Sequence, residues 1–418
     1  MPPPIKPLRI LFLTQWFDPE PMIKGMGFVQ GLAARGHQVE VVTGFPNYPG
    51  GKVYDGYRIR PIRREMAGQV AITRLALYPS HSQSKIGRIA NYLSFFLSSL
   101  IYLLFVARRA DIVYVYHPPM TVGLSAAIAR LFRRTPTVLD IQDMWPDTLR
   151  ATGMIGNERV LRLVGVVCAW VYRHVDRITV ISPGFGRLLT DRGVPSAKID
   201  VVPNWAPEAA DAKPLPPGTT PFRPEHSFRL LFAGNMGPAQ GLGSVLQAAL
   251  QVQSSHPEIG FYFLGAGIAL PDLQAQAAAL DLRNVTFLPR VAFNEVDAYL
   301  RAADALLVHL TDDPLFAITI PSKTQAYLSA GRPIILAVAG DAADLVARSG
   351  AGMTVPPENP AALAEAVIAM AGLTPAARAE LGQCAQTFYR AELSLDRALT
   401  RLEGIFAPLA NPVSGPQA

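Results

Sequence analysis

The stretch Phe228–Leu242, FRLLFAGNMGPAQGL, contains the pattern on which the rest of the chain is built. Phe228–Ala233 is an apolar run of the length of one buried strand. Gly234, Gly237 and Gly241 then break it, and a helical stretch begins just after. Three glycines in one loop let backbone approach a phosphate, and a helix N-terminus meets it with unpaired N–H groups. The same succession of strand, Gly- or Pro-containing turn and helix recurs in both directions. Downstream, strands are expected at Phe261–Gly265, Val285–Leu288, Ala305–His309, Pro333–Ala337 and Gly352–Val355. Upstream they are expected at Leu8–Leu13, Gln38–Thr43, Val70–Leu75, Ile112–Tyr116, Thr137–Ile141, Arg177–Ile181 and Ile199–Val202. Continuous apolar strands separated by helices indicate parallel sheets covered on both faces. Between the two sets, Ala206–Pro224 is rich in proline and lacks apolar periodicity. The expected architecture is α/β: two doubly wound domains, 1–205 and 228–384, joined by a linker at 206–227 and facing across a cleft. Ligands of such sheets bind beyond the carboxyl ends of the strands.

A chain of 418 residues suits two domains of about 200 residues each. With 50% hydrophobic and 17% charged residues it is not intrinsically disordered. Its two cysteines, Cys168 and Cys384, form neither a disulfide scaffold nor a zinc-cysteine pattern, which suits a reducing compartment. The apolar run after Met1-Pro2-Pro3-Pro4 is too short for a cleavable signal, so a cytoplasmic start is expected. The net charge of +6 hides an asymmetry. Residues 1–200 carry 25 Lys and Arg against 13 Asp and Glu, a surplus of +12, and the remainder is net acidic. Such a basic half either spreads its arginines over solvated helix faces or meets a polyanion, nucleic acid or an anionic membrane surface.

Residues 85–109, KIGRIANYLSFFLSSLIYLLFVARR, form an unusual helix. Tyr92–Ala107 is almost wholly apolar or small and is flanked by Lys85, Arg88, Arg108 and Arg109. Sixteen such positions fall short of the roughly 20 that span a bilayer. The helix is either buried against its sheet or dipped into a membrane interface with Tyr92 and Tyr102 as belt residues. The basic half favours the interface, with nucleic acid excluded as partner.

Several loops stand where chemistry is expected. After the first strand, Gly25 and Gly27 enter a helix and can offer backbone N–H groups to a phosphate, although helix entry uses glycine for steric reasons too. His37 ends that helix and is assigned no chemistry. His117 ends a strand before Pro118 and Pro119, on a rigid loop. Asp143 and Trp145 follow the next strand with Asp140 and Asp147, and an aromatic ring beside carboxylates suits a sugar. Pro321 opens a helix with Ser322, Lys323 and Thr324 in its first turn, so a full charge adds to the helix N-terminus.

The string from Phe17-Asp18-Pro19-Glu20 through Arg35-Gly36-His37 and on to Thr43-Gly44-Phe45-Pro46-Asn47-Tyr48-Pro49 resembles the retaining GT-B glycosyltransferases of family 4. Within it, the Thr43-Gly44-Phe45-Pro46-Asn47-Tyr48-Pro49 segment, Tyr54-Asp55-Gly56-Tyr57-Arg58, Asp143-Met144-Trp145-Pro146-Asp147 and Ile320-Pro321-Ser322-Lys323-Thr324-Gln325 resemble more narrowly the L-fucosamine-type (FucNAc) transferases of bacterial O-antigen and capsule assembly. The resemblance implies two Rossmann-like domains, the first on the acceptor side and the second binding a nucleotide sugar, with a C-terminal helix (385–407) returning to the first. The tail 412–418 is expected to be disordered. It also implies His117 as the active-site histidine beside the transferred sugar, Lys323 on the diphosphate, and Asp143 and Trp145 on the acceptor. Donor-binding positions would be Gly25, Gly27, Gly234, Asn235, Gly237, Gln240, Gly265, Arg290, Asp312, Asp313, Ser322, Thr324 and Gln325. Where the family places an Arg and a Lys in the second glycine loop, this chain has Asn235 and Gln240, so positive charge must come from elsewhere. Where it places two glutamates eight positions apart, this chain has Ile318 and Ala326. Gln325 is then the group left for ribose hydroxyls, and Asp312 or Asp313 for the sugar.

The implied activity is retaining transfer of a sugar from a UDP-sugar to a lipid-linked saccharide by an enzyme peripherally attached to the inner face of the plasma membrane. No cofactor and no metal are expected, and the chain has no Asp-x-Asp triplet. A non-catalytic nucleotide-sugar-binding subunit, or an epimerase or phosphorylase of the same fold, remain the alternatives.

Overall fold

The computed structural model describes residues 6–80, 85–151, 154–206, 214–215 and 220–411. The chain forms two compact units, one running to Pro203 and resuming at Leu395, the other Asn204–Ser394. The first holds an eight-stranded sheet: β1 (Arg9–Leu13), β2 (Gln38–Gly44), β3 (Ile62–Ala67), β4 (Val70–Leu75), β5 (Ile112–His117), β6 (Thr137–Ile141), β7 (Arg177–Val180) and β8 (Ile199–Val201). Their spatial order is β3-β4-β2-β1-β5-β6-β7-β8. Every pairing is parallel except β3 with β4. The second unit holds six strands, β9 (Phe228–Asn235), β10 (Ile259–Ala266), β11 (Val285–Leu288), β12 (Ala305–His309), β13 (Ile334–Ala337) and β14 (Gly352–Val355). These run in the order β11-β10-β9-β12-β13-β14 and are parallel throughout.

All thirteen strands expected from the apolar runs are present, because helices cover both faces and the central runs are buried from end to end. Every residue of β5, IVYVYH, is buried. The sequence pattern missed β3. Its residues, IRREMA, alternate exposed with half-buried on an antiparallel edge, so no apolar run marks them. In each unit the strand order reverses next to the first strand, between β1 and β5 and between β9 and β12. Those two points are where open sheets of this kind leave a crevice for a ligand.

Two expectations about domain limits shift. The stretch 206–227 is no free linker throughout. Ala206 and Phe222 belong to the buried core of the second unit, and Trp205 is 4% exposed. The return to the first unit comes at Leu395 rather than at 385, since Pro375–Phe388 and Tyr389 stay with the second. The tail 412–418 lies outside the described residues. The returning helix, Leu395–Ala410, packs on helix Met26–Ala34. Leu399 fills the space above Gly31, where a Cβ would stand 2.7 Å from its methyl carbon. Arg35 donates to Glu403 (2.6 Å), to the Asp396 carboxylate and to Thr400 (3.2 Å). His37 accepts from the Leu8 N–H at Nδ1 and faces Glu403 through Nε2, which makes it the structural residue the sequence suggested.

The Lys85–Ile101 helix continues as wider turns over Tyr102–Val106. Gly87–Val106 is 20 residues of mean hydropathy 1.9, long and apolar enough to cross a membrane. Its two faces differ. Phe95, Tyr102 and Leu103 are buried on the sheet side. Ile89, Leu93, Leu97, Ile101 and Phe105, spaced by four, are 48–78% exposed. The expected belt residues face inward instead. Tyr102 is 3% exposed and donates to Glu40 at 2.6 Å. The half-buried Tyr92 meets Trp16 edge-on at 6.2 Å.

Candidate functional site

In the second unit, β9 and β10 end side by side in Gly234 and Gly265, both at positive φ (139° and 140°). A Cβ on Gly265 would lie 2.1 Å from the Gly234 carbonyl oxygen, so only glycine allows the two strand ends to approach so closely. Beyond them opens a cavity of about 440 Å³. Of the residues expected to bind the donor, Gly234, Asn235, Gly265, Arg290 and Lys323 line it. Phe293, Ala326 and Tyr327 line it as well, and no sequence signal marked Phe293 or Tyr327 as binding residues.

Lys323 comes from the first turn of helix Ser322–Ala330, which opens with Pro321 as expected. Its ammonium nitrogen is enclosed and has no hydrogen-bond partner. It lies 3.7 Å from the centre of the Phe232 ring and 3.5 Å from where a Gly234 Cβ would stand. Desolvation pushes its pKa down to about 7. A cation that has given up water without gaining a carboxylate is poised for an anion. Arg290, exposed on the same wall, has no ion pair among the described residues.

Other expected donor residues are occupied elsewhere. Gln240 accepts from the Gly237 N–H (2.9 Å) and from Asn235 (3.4 Å), so it shapes its own loop, and neither Gly237 nor Gln240 lines the cavity. Asp313 caps helix Pro314–Ala317 through the Leu315 N–H. The Asp312 backbone N–H donates to the Glu358 carboxylate at 2.8 Å, and Asp312 does not line the cavity. Ser322 is exposed outside the cavity lining, and Thr324 is buried with an unpartnered hydroxyl. Gln325 is buried, and with its amide in the orientation that suits its neighbours it donates to the Pro321 and Ser322 carbonyls at 2.8 and 3.1 Å, which takes it out of the ribose role. Ala326, at one of the two absent glutamates, does line the cavity. The sequence reading also passed over His309 at the end of β12. Its Nδ1 donates to the Gln240 carbonyl at 2.7 Å and its Nε2 is buried without a partner. A Cβ on Gly241, at φ 57°, would sit 3.1 Å from that ring, so His309 is the seat of the glycine loop.

In the first unit, His117 ends β5 in register with Ile141 of β6. It is fully buried, both ring nitrogens lack partners, and burial lowers its pKa to about 4. It is therefore a neutral imidazole at ordinary pH, able to give or take one hydrogen bond. Trp145 meets it edge-on with ring centres 6.2 Å apart. Of the nearby carboxylates, Asp140 is taken by Lys24 (2.6 Å), Thr179 (2.7 Å) and Gln142 (2.6 Å), and Asp147 by Arg192 (2.5 Å). Asp143 remains, half-buried and with its pKa raised by desolvation.

Gly25 and Gly27 are not the free phosphate cradle expected of them. Asp18 Oδ2 accepts the Met26 N–H at 2.6 Å, so the helix N-terminus already holds a carboxylate, which repels a phosphate. Glu20 carries a role that the sequence did not show. Its carboxylate accepts the N–H groups of Phe17 (2.9 Å), Asn47 (2.8 Å) and Tyr48 (2.8 Å), which ties together the loops after β1 and β2.

Two doubly wound sheets, one parallel throughout and one parallel but for its edge strand β3, with Gly234 and His117 at the strand ends beside their switch points, are the architecture of the GT-B glycosyltransferases. Known proteins agree. Residues 26–205 match the family described as glycosyl transferase 4-like domain, and residues 227–372 match glycosyl transferases group 1. The chain belongs to the group 1, GT4-like glycosyltransferases. It is 28% identical over 338 residues to the putative colanic acid biosynthesis glycosyl transferase WcaI of Escherichia coli, covering 78% of this chain and 82% of that protein. To the probable glycosyltransferase WbjE of Pseudomonas aeruginosa it is 26% identical, covering 62% and 66%. Among solved structures it resembles sucrose-phosphate synthase of Thermosynechococcus elongatus (TM-score 0.70, 15% identity, 96% and 98% covered). It also resembles Anabaena HepE solved in complex with UDP (TM-score 0.65, 16% identity, 96% and 99% covered). Glycosyltransfer in bacterial glycan biosynthesis is therefore the function of its family.

Proposed function

We propose that this chain is a retaining glycosyltransferase that moves a sugar from a UDP-sugar to the hydroxyl of a lipid-linked saccharide during surface polysaccharide assembly. The reading is carried by the enclosed, unpartnered Lys323 ammonium over the Gly234–Gly265 strand ends. A diphosphate entering that cavity supplies the counter-charge the lysine lacks, and Arg290 on the wall adds a second. As the glycosidic bond breaks, negative charge grows on the leaving diphosphate, and groups already placed there stabilise it without reorganising. This assigns charge stabilisation to protein cations and requires no metal. Phe293 and Tyr327 supply the aromatic surface for the base and ribose. The neutral His117 hydrogen-bonds a hydroxyl of the sugar, and Asp143 with Trp145 receives the acceptor saccharide. The resemblance of Asp143–Asp147 and of the 43–49 segment to the FucNAc-type transferases supports an amino sugar such as N-acetyl-L-fucosamine as the donor. The exposed Ile89–Phe105 stripe supports peripheral attachment at the inner face of the plasma membrane, where a lipid-linked acceptor lies.

The test is thermal stabilisation by a panel of nucleotides and nucleotide sugars. A ligand at a hundredfold excess over its dissociation constant adds about 2.7 kcal/mol of stability. UDP is expected to raise the midpoint, one UDP-sugar to raise it further, and Lys323→Ala to abolish both shifts with the protein still folded. An unchanged shift in Lys323→Ala removes the phosphate assignment. No shift with any nucleotide in the wild type turns the reading toward a non-catalytic subunit.

A further inference from the structure

The sheet of the first unit has a second cavity, of about 490 Å³, at the amino ends of β1, β2 and β4, the edge opposite to His117. Arg9, Arg108 and Arg109 line it together with Gln38 and Gln69. Two carboxylates stand close by, and both are engaged. Glu40 accepts from the Tyr102 and Thr73 hydroxyls (2.6 and 3.0 Å). Asp111 accepts from the Arg9 N–H (2.8 Å) and guanidinium (3.2 Å). Arg108 has no ion pair among the described residues, and both Arg108 and Arg109 are exposed. They directly follow the apolar stripe, whose last members, Phe105 and Val106, are 78% and 38% exposed.

The neighbouring helix extends this surface. In Met120–Arg133, the exposed Phe132 (73%) stands beside Arg133, which donates to the Leu104 and Ala107 carbonyls at 3.1 and 2.7 Å. Neither residues 85–110 nor residues 120–134 contain an acidic residue, and the latter end in Arg133-Arg134. The surface is apolar along its length and cationic at its foot, which complements a lipid whose acyl chains adjoin an anionic phosphate.

We infer that Arg108 and Arg109 form a headgroup site for the phosphate of an anionic phospholipid, at the carboxyl end of the Ile89–Phe105 stripe. Phe105 and Val106 enter the acyl region while the two guanidinium groups hold the phosphate from the water side, each as a bidentate donor. The inference rests on the membrane attachment proposed above and adds to it a lipid class and a location. It also fixes an orientation. The helix lies along the bilayer with its Asn91–Tyr92 end, joined to the loops after β1 and β2, at the surface where the acceptor is.

The experiment is co-sedimentation of the full chain with vesicles of phosphatidylcholine, alone or mixed with phosphatidylglycerol. The variants are Arg108→Gln/Arg109→Gln and Leu93→Gln/Leu97→Gln, each checked for folding by its circular dichroism spectrum and its thermal midpoint without ligand. The wild type is expected to bind the mixed vesicles on the order of tenfold more tightly than the neutral ones, an increment lost at high salt. The arginine variant should lose that increment and keep its binding to neutral vesicles. The leucine variant should lose binding to both. Retention of the anionic increment by the arginine variant overturns the headgroup site. Failure of the wild type to bind either vesicle overturns the membrane reading itself. Inorganic phosphate serves as the soluble control. If it raises the wild-type midpoint but not that of the arginine variant, and vesicle binding shows no anionic increment, the site takes a free anion and the lipid assignment falls.

Discussion

Lys323 illustrates how a single residue trades stability for binding. Its pKa is lowered from the ordinary lysine value to about 7, so the folded protein disfavours the charged form. The cost of holding the ammonium in place is full below pH 7 and disappears as pH rises from 7 toward the unfolded lysine value. Lys323→Met is therefore expected to raise the thermal midpoint of the empty protein. The gain is largest below pH 7, on the order of 5 kcal/mol, and vanishes in strongly alkaline solution. The same substitution removes the stabilisation by UDP. In the wild type, UDP binding weakens as pH rises above 7, because the empty site loses the proton the phosphate needs, and titration calorimetry across that range measures it. Glu20 makes a different kind of contribution. Replacing it with Ala removes the acceptor of three N–H groups, two of them buried, at a cost of about 3 kcal/mol. Urea unfolding should show that loss, and the UDP shift should persist because Glu20 belongs to the other unit.

At the scale of elements, the long apolar helix is the clearest case of one segment serving two environments. Asn91 accepts from Gln15 at 2.5 Å and donates to the Tyr78 carbonyl at 2.7 Å, and Ser98 donates to the Ala76 carbonyl at 2.6 Å. These bonds fix the inward face. Substitutions on the two faces should therefore separate cleanly. Leu93→Gln/Leu97→Gln should leave the unfolding midpoint within about 0.5 kcal/mol of wild type, as surface changes do. Phe95→Ala, which empties a fully buried site, should cost about 3–5 kcal/mol. Comparable losses from both would mean that the outer stripe is covered in solution. The composition of this segment announced an apolar helix, but a one-dimensional count cannot say which quarter of the circumference is bare. That follows from the sheet and the Met120–Arg133 helix packed beside it, and it turned Tyr92 and Tyr102 inward against the expectation.

At the scale of the molecule, the chain leaves the first unit at Pro203 and returns at Leu395, so its last helix stabilises a domain begun almost 400 residues earlier. Truncation after Ser394 strips Arg35 of Asp396, Thr400 and Glu403, takes Glu403 from His37, and exposes the face against which Leu399, Leu402 and Phe406 are buried. The expected outcome is a lower midpoint for the first unit and an undiminished response of the second to UDP, read as two separate calorimetric transitions. A single transition that falls as a whole and loses its UDP response would show that the second unit depends on this helix too.

Local sequence determined the strands, the helix with Lys323 in its first turn and the glycines at the ends of β9 and β10. A buried parallel strand needs an apolar run, and a close backbone approach needs glycine, whatever lies elsewhere in the chain. Tertiary structure decided which polar groups stay free. Lys24 and Asp140 are 116 positions apart and neutralise each other, Arg192 takes Asp147, and Asp18 occupies the helix end that Gly25 and Gly27 were expected to open to a phosphate. Gln325 folds onto its own helix start, while Lys323, two residues earlier, leaves its ammonium nitrogen unpaired for a ligand. Whether a charge is spent on the fold or kept for chemistry depends on what lies within a few ångströms of it, and distance along the chain does not measure that.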